Sequence, residues 1–102
     1  YVSGSLDLAE CYAILGQKAK AKELFNDVWN NSTQYMNWYL SLDSNHFAQS
    51  MSDCLREMSI MQECNRVASI IDPKLAQRTG HQFQSLFNMY RGKGGVLPNQ
   101  NN

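Results

Sequence analysis

Apolar residues recur along most of this chain at three- and four-residue steps, and strand-like alternation is nearly absent, which predicts an all-α protein of about five helices. Leu6, Ala9, Tyr12 and Ala13 share one face of a first helix, with Ser5 or Ser3 able to cap its start. Gly16 follows Leu15 and stops that helix, since glycine adopts the left-handed geometry of a helix end without steric cost. Ala21, Leu24, Phe25 and Val28 form the apolar face of a second helix over residues 18–30. Two helices joined by so short a turn pack antiparallel.

Asn30-Asn31-Ser32 interrupts the pattern and predicts a break, followed by a third helix whose face is Tyr35, Trp38, Tyr39 and Leu42. Aromatics at that spacing predict a face turned inward. Asp43-Ser44 offers the next cap. Phe47, Met51, Leu55, Met58, Met61, Ala68 and Ile71 then trace a single stripe without glycine or proline, which predicts one helix of about seven turns. Asp72 caps a fifth helix with Pro73 in its first turn, and Leu75, Ala76, Phe83, Leu86, Phe87 and Tyr90 form its apolar side. Gly80 weakens its middle by about 1 kcal/mol relative to alanine. The sequence thus predicts one domain over residues 1–90 and a flexible tail over 91–102, where little is left to bury.

The first hairpin is more specific than the rest. Leu8, Ala9, Tyr12, Gly16, Ala21, Phe25 and Val28 resemble the tetratricopeptide (TPR) repeat in order and spacing of small and large residues. Physically, Ala9 and Ala21 let two helices approach closely, Tyr12 and Phe25 fill the space beside that contact, and Gly16 makes the bend. The resemblance covers residues 5–30. It departs from the pattern in having Ser5 where a tryptophan is usual and no proline after the second helix. It implies an α-α superhelix or right-handed bundle, and a groove facing a partner through Leu6, Glu10 and Ala13. With no lysine or asparagine at those positions, a partner offering an apolar or basic side chain is expected there. One repeat does not bury its own face, so later helices or neighbouring repeats must close the core.

A weaker resemblance spans the chain. Leu8-Ala9-Glu10-Cys11-Tyr12, Gly16-Gln17-Lys18-Ala19-Lys20-Ala21 and Trp38-Tyr39-Leu40-Ser41-Leu42 are similar to the soluble C-terminal region of large bacterial membrane glycosyltransferase-like proteins of protein O-mannosyltransferase type. The beginning Tyr1-Val2-Ser3-Gly4, without methionine, suits a piece of a longer protein. That resemblance implies a periplasmic or membrane-attached setting, whereas a free-standing TPR-like module would be cytoplasmic.

Composition narrows the function. Nine bases balance nine acids, so the 102-residue chain exerts no net attraction on nucleic acid or anionic lipid. The charge is uneven, since five bases face nine acids before Pro73 and four bases with no acid follow Asp72. A final helix lying against an acidic body accounts for that distribution. No run approaches the roughly 18 apolar residues a membrane span needs.

No residue pattern carries a reaction. Cys11, Cys54 and Cys64 are odd in number; the last two, about 15 Å apart on one helix, lie too far apart for a disulfide. All three are expected as small buried hydrophobes. His46 and His81 have no metal-ligand spacing around them, and His46 is expected at the surface. Met51, Met58 and Met61 fall on the core stripe. Asp53, Arg56 and Glu57 read as a solvated helix face. Gly92-Lys93-Gly94-Gly95 lacks the strand and helix of a phosphate loop. The overlapping glycosylation acceptors in Asn30-Asn31-Ser32-Thr33 have meaning only in a eukaryotic secretory setting. The expected function is therefore a non-enzymatic module for protein or peptide interaction, with no cofactor and no metal. An accessory domain of a glycosyltransferase-like protein and the cap of a helical solenoid are the alternatives. A fragment lacking neighbouring repeats is also expected to dimerise through exposed apolar surface.

Overall fold

The computed structural model describes residues 2–97 and shows five helices packed around one core: α1 Val2–Ile14, α2 Lys18–Leu40, α3 Ser44–Gln49, α4 Met51–Ile71 and α5 Pro73–Gly92. The described residues contain no strand. Helix α4 is the central element. It packs against α1, α2, α3 and α5. It buries Cys54, Glu57, Met58, Met61, Cys64, Val67, Ala68 and Ile71, a stripe at three- and four-residue steps. The core draws on all five helices, from Leu6 and Ala9 on α1 to Leu86 and Tyr90 on α5.

The turn between α1 and α2 follows the sequence reading. Gly16 has φ of +81°, and the amide of Gln17 donates to the carbonyl of Tyr12 at 2.8 Å. Ala9 and Ala21 are both fully buried in the shared core. Helix α1 begins at Val2, so Ser3 and Ser5 lie within it rather than at its cap as expected. Two later boundaries also differ from expectation. Asn30-Asn31-Ser32 does not break the chain, and α2 runs unbroken for 23 residues. Its buried residues, Ala21, Phe25, Trp29, Met36 and Leu40, continue one face through the polar stretch. Ser32 gives its hydroxyl to Glu57 on α4, and Thr33 gives its own to the carbonyl of Asn30. Packing on both sides of the stretch outweighs the tendency of asparagine and serine to favour non-helical turns.

The expected seven-turn helix is divided at Ser50. There the backbone lies at φ −101° and ψ 5°, and the serine amide and hydroxyl both donate to the carbonyl of Phe47. The bend brings Phe47 edge-on to Tyr90, with ring centroids 5.8 Å apart. A serine that satisfies itself against a carbonyl three residues back replaces the helical ladder locally.

The two acidic caps form as expected. The His46 amide donates to Asp43 at 2.9 Å, and the Lys74 amide donates to Asp72 at 3.0 Å. Those amide bonds lower both carboxyl pKa values, helped at Asp43 by the His46 ring and at Asp72 by the charge of Lys22. A carboxylate whose pKa falls on folding stabilises the fold above its unfolded pKa and loses that contribution as pH drops through the folded value. In the variant Asp43→Asn/Asp72→Asn, which keeps the acceptors without the charge, stability measured by urea midpoint should therefore decline less steeply from about pH 5 to pH 2 than in the parent.

Of the expected tail, residues 91 and 92 complete α5, and the next five turn back onto it. Gly94 has φ of +94°, and the Gly95 amide donates to the Tyr90 carbonyl at 2.9 Å. The buried Tyr90 gives its hydroxyl to the Val96 carbonyl at 2.8 Å, and Leu97 packs against the core. Lys93 gives its ammonium to the Leu42 carbonyl at 2.8 Å and lies over the ring of Phe47. Residues 98–102 of that expected tail lie outside the described residues.

Candidate functional site

The groove expected on α1 is occupied by the protein's own α4. Leu6 is 2% exposed and belongs to the core. Glu10 accepts from the Arg66 guanidinium of α4 at 2.9 Å, and Ala13 is half-buried against the core. Arg66 is also held by Glu63 at 2.7 Å, and the two carboxylates, Glu63 foremost, raise its pKa further. The helix that closes the hairpin's core thus covers the face through which a TPR-like partner would bind. Among the hairpin residues, Ala9, Ala21 and Phe25 are fully buried, Tyr12 is half-buried beneath Lys20, and Leu8 is exposed. Val28 lines a cleft of a different kind.

That cleft, about 440 Å³, lies where α1, α2 and α4 meet. Its apolar wall is Val2, Leu24, Val28 and Ile60; its polar groups are Ser5, Asp27, Asn31, Ser32, Arg56 and Glu57, with Tyr35 at one side. Two shallower hollows continue it along α2, one through Asn31, Gln34, Tyr35 and Trp38, the other through Leu8, Tyr12, Lys20, Glu23, Leu24 and Asp27. Lys20, Leu24, Asp27, Asn31, Tyr35 and Trp38 follow three- and four-residue steps, so one face of α2 supplies the whole line, about 27 Å long.

The sequence predicted the aromatic face of this segment as inward. Only Tyr39 turns in, whereas Tyr35 is 47% and Trp38 58% exposed. The three rings nevertheless form one unit. Tyr39 stacks on Tyr35 at 6.4 Å between centroids and meets Trp38 at 5.3 Å. A buried ring thus holds two exposed ones in place.

Glu57 is 6% exposed and lines the cleft. It accepts from Ser32 at 2.9 Å and lies 3.7 Å from the Arg56 guanidinium, which is bound more closely by Asp53 at 3.2 Å. The expected solvated triad is therefore half correct, because Arg56 is exposed but Glu57 is buried. Burial first, and then the nearby Asp53 and Glu57, raise the pKa of Tyr39. Asp27 has no ion-pair partner among the described residues.

Removing the donor to Glu57 should be costly. Ser32→Ala leaves a buried carboxylate oxygen without its hydrogen bond, and a loss of about 1–3 kcal/mol in urea unfolding is expected. The double variant Ser32→Ala/Glu57→Leu, which removes the charge as well, should recover most of that loss. No recovery would mean that Ser32 contributes through packing alone.

The other reactive groups do not converge. Cys54 and Cys64 are buried as expected, and burial raises both thiol pKa values, Cys64 to about 12 with help from Glu63. Cys11 is exposed, contrary to expectation, because α1 turns that side to solvent. His46 is exposed beside Asp43, and His81 is exposed on α5. Among the described residues, no group of three or more His, Cys, Asp or Glu is placed to hold a metal, and no helix is long and apolar enough to cross a membrane. Sequence periodicity missed Asp27, Asn31 and Glu57 as members of one cleft and Trp38 as part of the hollow that continues it. Asp27, Asn31, Tyr35 and Trp38 do share helical spacing, the one available signal, but the expected break at residues 30–32 hid it. No protein-family model, curated protein or solved structure matches the chain.

Proposed function

We propose that this domain is a non-enzymatic docking module that binds a segment of another protein along the outer face of α2. The observation that carries this reading is the pair Tyr35 and Trp38, exposed on one helix face, fixed by Tyr39 and adjoining the cleft. Rigid aromatics supply large contact area at small entropic cost and are enriched where proteins bind one another. The TPR-like character of the α1–α2 hairpin is supported by the buried Ala9 and Ala21 and the positive φ of Gly16. The covered α1 face moves the proposed groove from α1 to α2.

A second reading, the terminal cap of a helical solenoid, is favoured by α5, where Gln77, Arg78, His81, Gln84 and Asn88 are polar and exposed and Met89 is the large exposed apolar exception. The two roles are compatible, since α5 and the outer face of α2 are different surfaces. As the soluble part of a membrane glycosyltransferase-like protein, the module would recruit or position a protein substrate by the same face.

Selection of a displayed random peptide library on the domain, with the enriched peptides then measured against the Trp38→Asp variant, tests the docking reading. Enriched peptides should perturb the amide resonances of Asn31, Gln34, Tyr35 and Trp38. Peptides that bind the Trp38→Asp variant equally well would refute a docking face on α2.

A further inference from the structure

We propose that the cleft between α1, α2 and α4 receives an arginine or lysine side chain of the partner segment, held by Asp27 and Glu57, while that segment's neighbouring apolar residues lie on Tyr35 and Trp38. This deepens the docking reading and rests on it. The volume of about 440 Å³ falls within the roughly 300–1,000 Å³ of sites that enclose a small ligand. The walls suit a side chain that is apolar along its stem and charged at its tip. Val2, Leu24, Val28 and Ile60 are positioned for methylene groups, and the carboxylates and the Asn31 and Ser32 oxygens for N–H donors.

Charge selects the sign of the occupant. Among the described residues, Arg56 is the only cation lining the cleft, and Asp53 and Glu57 both lie within ion-pair distance of it. Within the described lining, the two carboxylates Asp27 and Glu57 stand against one guanidinium, a net of one negative charge, and Arg56 is drawn toward Asp53 outside the cleft at 3.2 Å. An acidic side chain would be repelled there. A neutral one would desolvate Asp27 and leave it without a counter-charge. A guanidinium instead gives a carboxylate two parallel charge-assisted hydrogen bonds. Tyr35 and Trp38 lie farther along the same face, about two and three helical turns beyond Asp27, so apolar neighbours of that basic residue have a platform there.

The test is a titration of the isotope-labelled protein, followed by amide resonances, with three blocked tripeptides: acetyl-Leu-Arg-Leu-amide, the same peptide with citrulline, and the same with glutamate. Citrulline matches arginine in shape but carries no charge. The arginine peptide should shift the amides of Asp27, Asn31, Tyr35 and Glu57 and bind about tenfold more tightly than the citrulline peptide, with the glutamate peptide weakest. Asp27→Asn, an exposed position, should shrink the arginine-to-citrulline ratio to about threefold or less while leaving the rest of the spectrum in place. Equal affinities for arginine and citrulline on this face would overturn the proposal and leave the docking reading standing. Shifts confined to other faces, or none up to about 5 mM peptide, would remove the proposal and count against the docking face as well.

Discussion

Phe25→Ala should lower the free energy of unfolding by about 3–5 kcal/mol, the range measured when a large aromatic is cut from a closed core. Phe25 is fully buried in the middle of the apolar face of α2 and stacks on Trp29 with centroids 6.1 Å apart and planes within 11°. The hydrophobic transfer of the ring is lost, and a cavity remains because the surrounding α1, α2 and α4 are rigid rods with little freedom to collapse into it. A domain of this size has about 5–15 kcal/mol in total, so the variant would stand close to its unfolding midpoint at moderate temperature. Urea denaturation followed by far-ultraviolet circular dichroism measures this directly. An unchanged slope with a reduced midpoint is expected, and a loss under about 1 kcal/mol would mean that this ring is not part of a closed core.

Ala21→Leu should cost about 2–3 kcal/mol, even though leucine is the more hydrophobic residue. Ala21 and Ala9 are both fully buried where α1 and α2 pack. The added carbons have no void to enter. They must push the two helices apart or adopt strained rotamers, and overpacking of that kind outweighs the gain from apolar area. Ala19→Leu, on the exposed side of the same helix, is the control and should change stability by no more than about 0.5 kcal/mol. Equal effects at positions 19 and 21 would show that the hairpin is not closely packed at its small residues.

These two residues were legible in the sequence because the signal behind them is local. Gly16 marks a turn, Ala9 and Ala21 are small residues on the helices either side of it, and Phe25 sits one helical turn beyond Ala21. The caps at Asp43 and Asp72 were legible for the same reason, since each side chain bonds an amide two or three residues away. Where the reading failed, a distant partner decided. Ser32 looks like a break until Glu57, 25 residues later, accepts its hydroxyl. Trp38 looks like core until it is clear that no helix of the described chain covers it. Leu6, Glu10 and Ala13 look like a groove until α4 is laid against them with Arg66 on Glu10. Ser50 alone is a local event that was missed, because serine interrupts a helix weakly and only when packing, here of Phe47 on Tyr90, favours the bend.

By itself the sequence determined that the protein is all-helical, where its first hairpin turns, where α5 begins, and most of the side chains that fill the core. Those features follow from periodicity and from bonds within one turn of chain. Only the tertiary structure decided which faces remain open, because periodicity states that residues share a side and is silent on what lies opposite. The cleft of Asp27, Asn31, Tyr35 and Glu57 exists because α4 returns antiparallel to α2 and parallel to α1. No local rule brings residues 27 and 57 to the same wall.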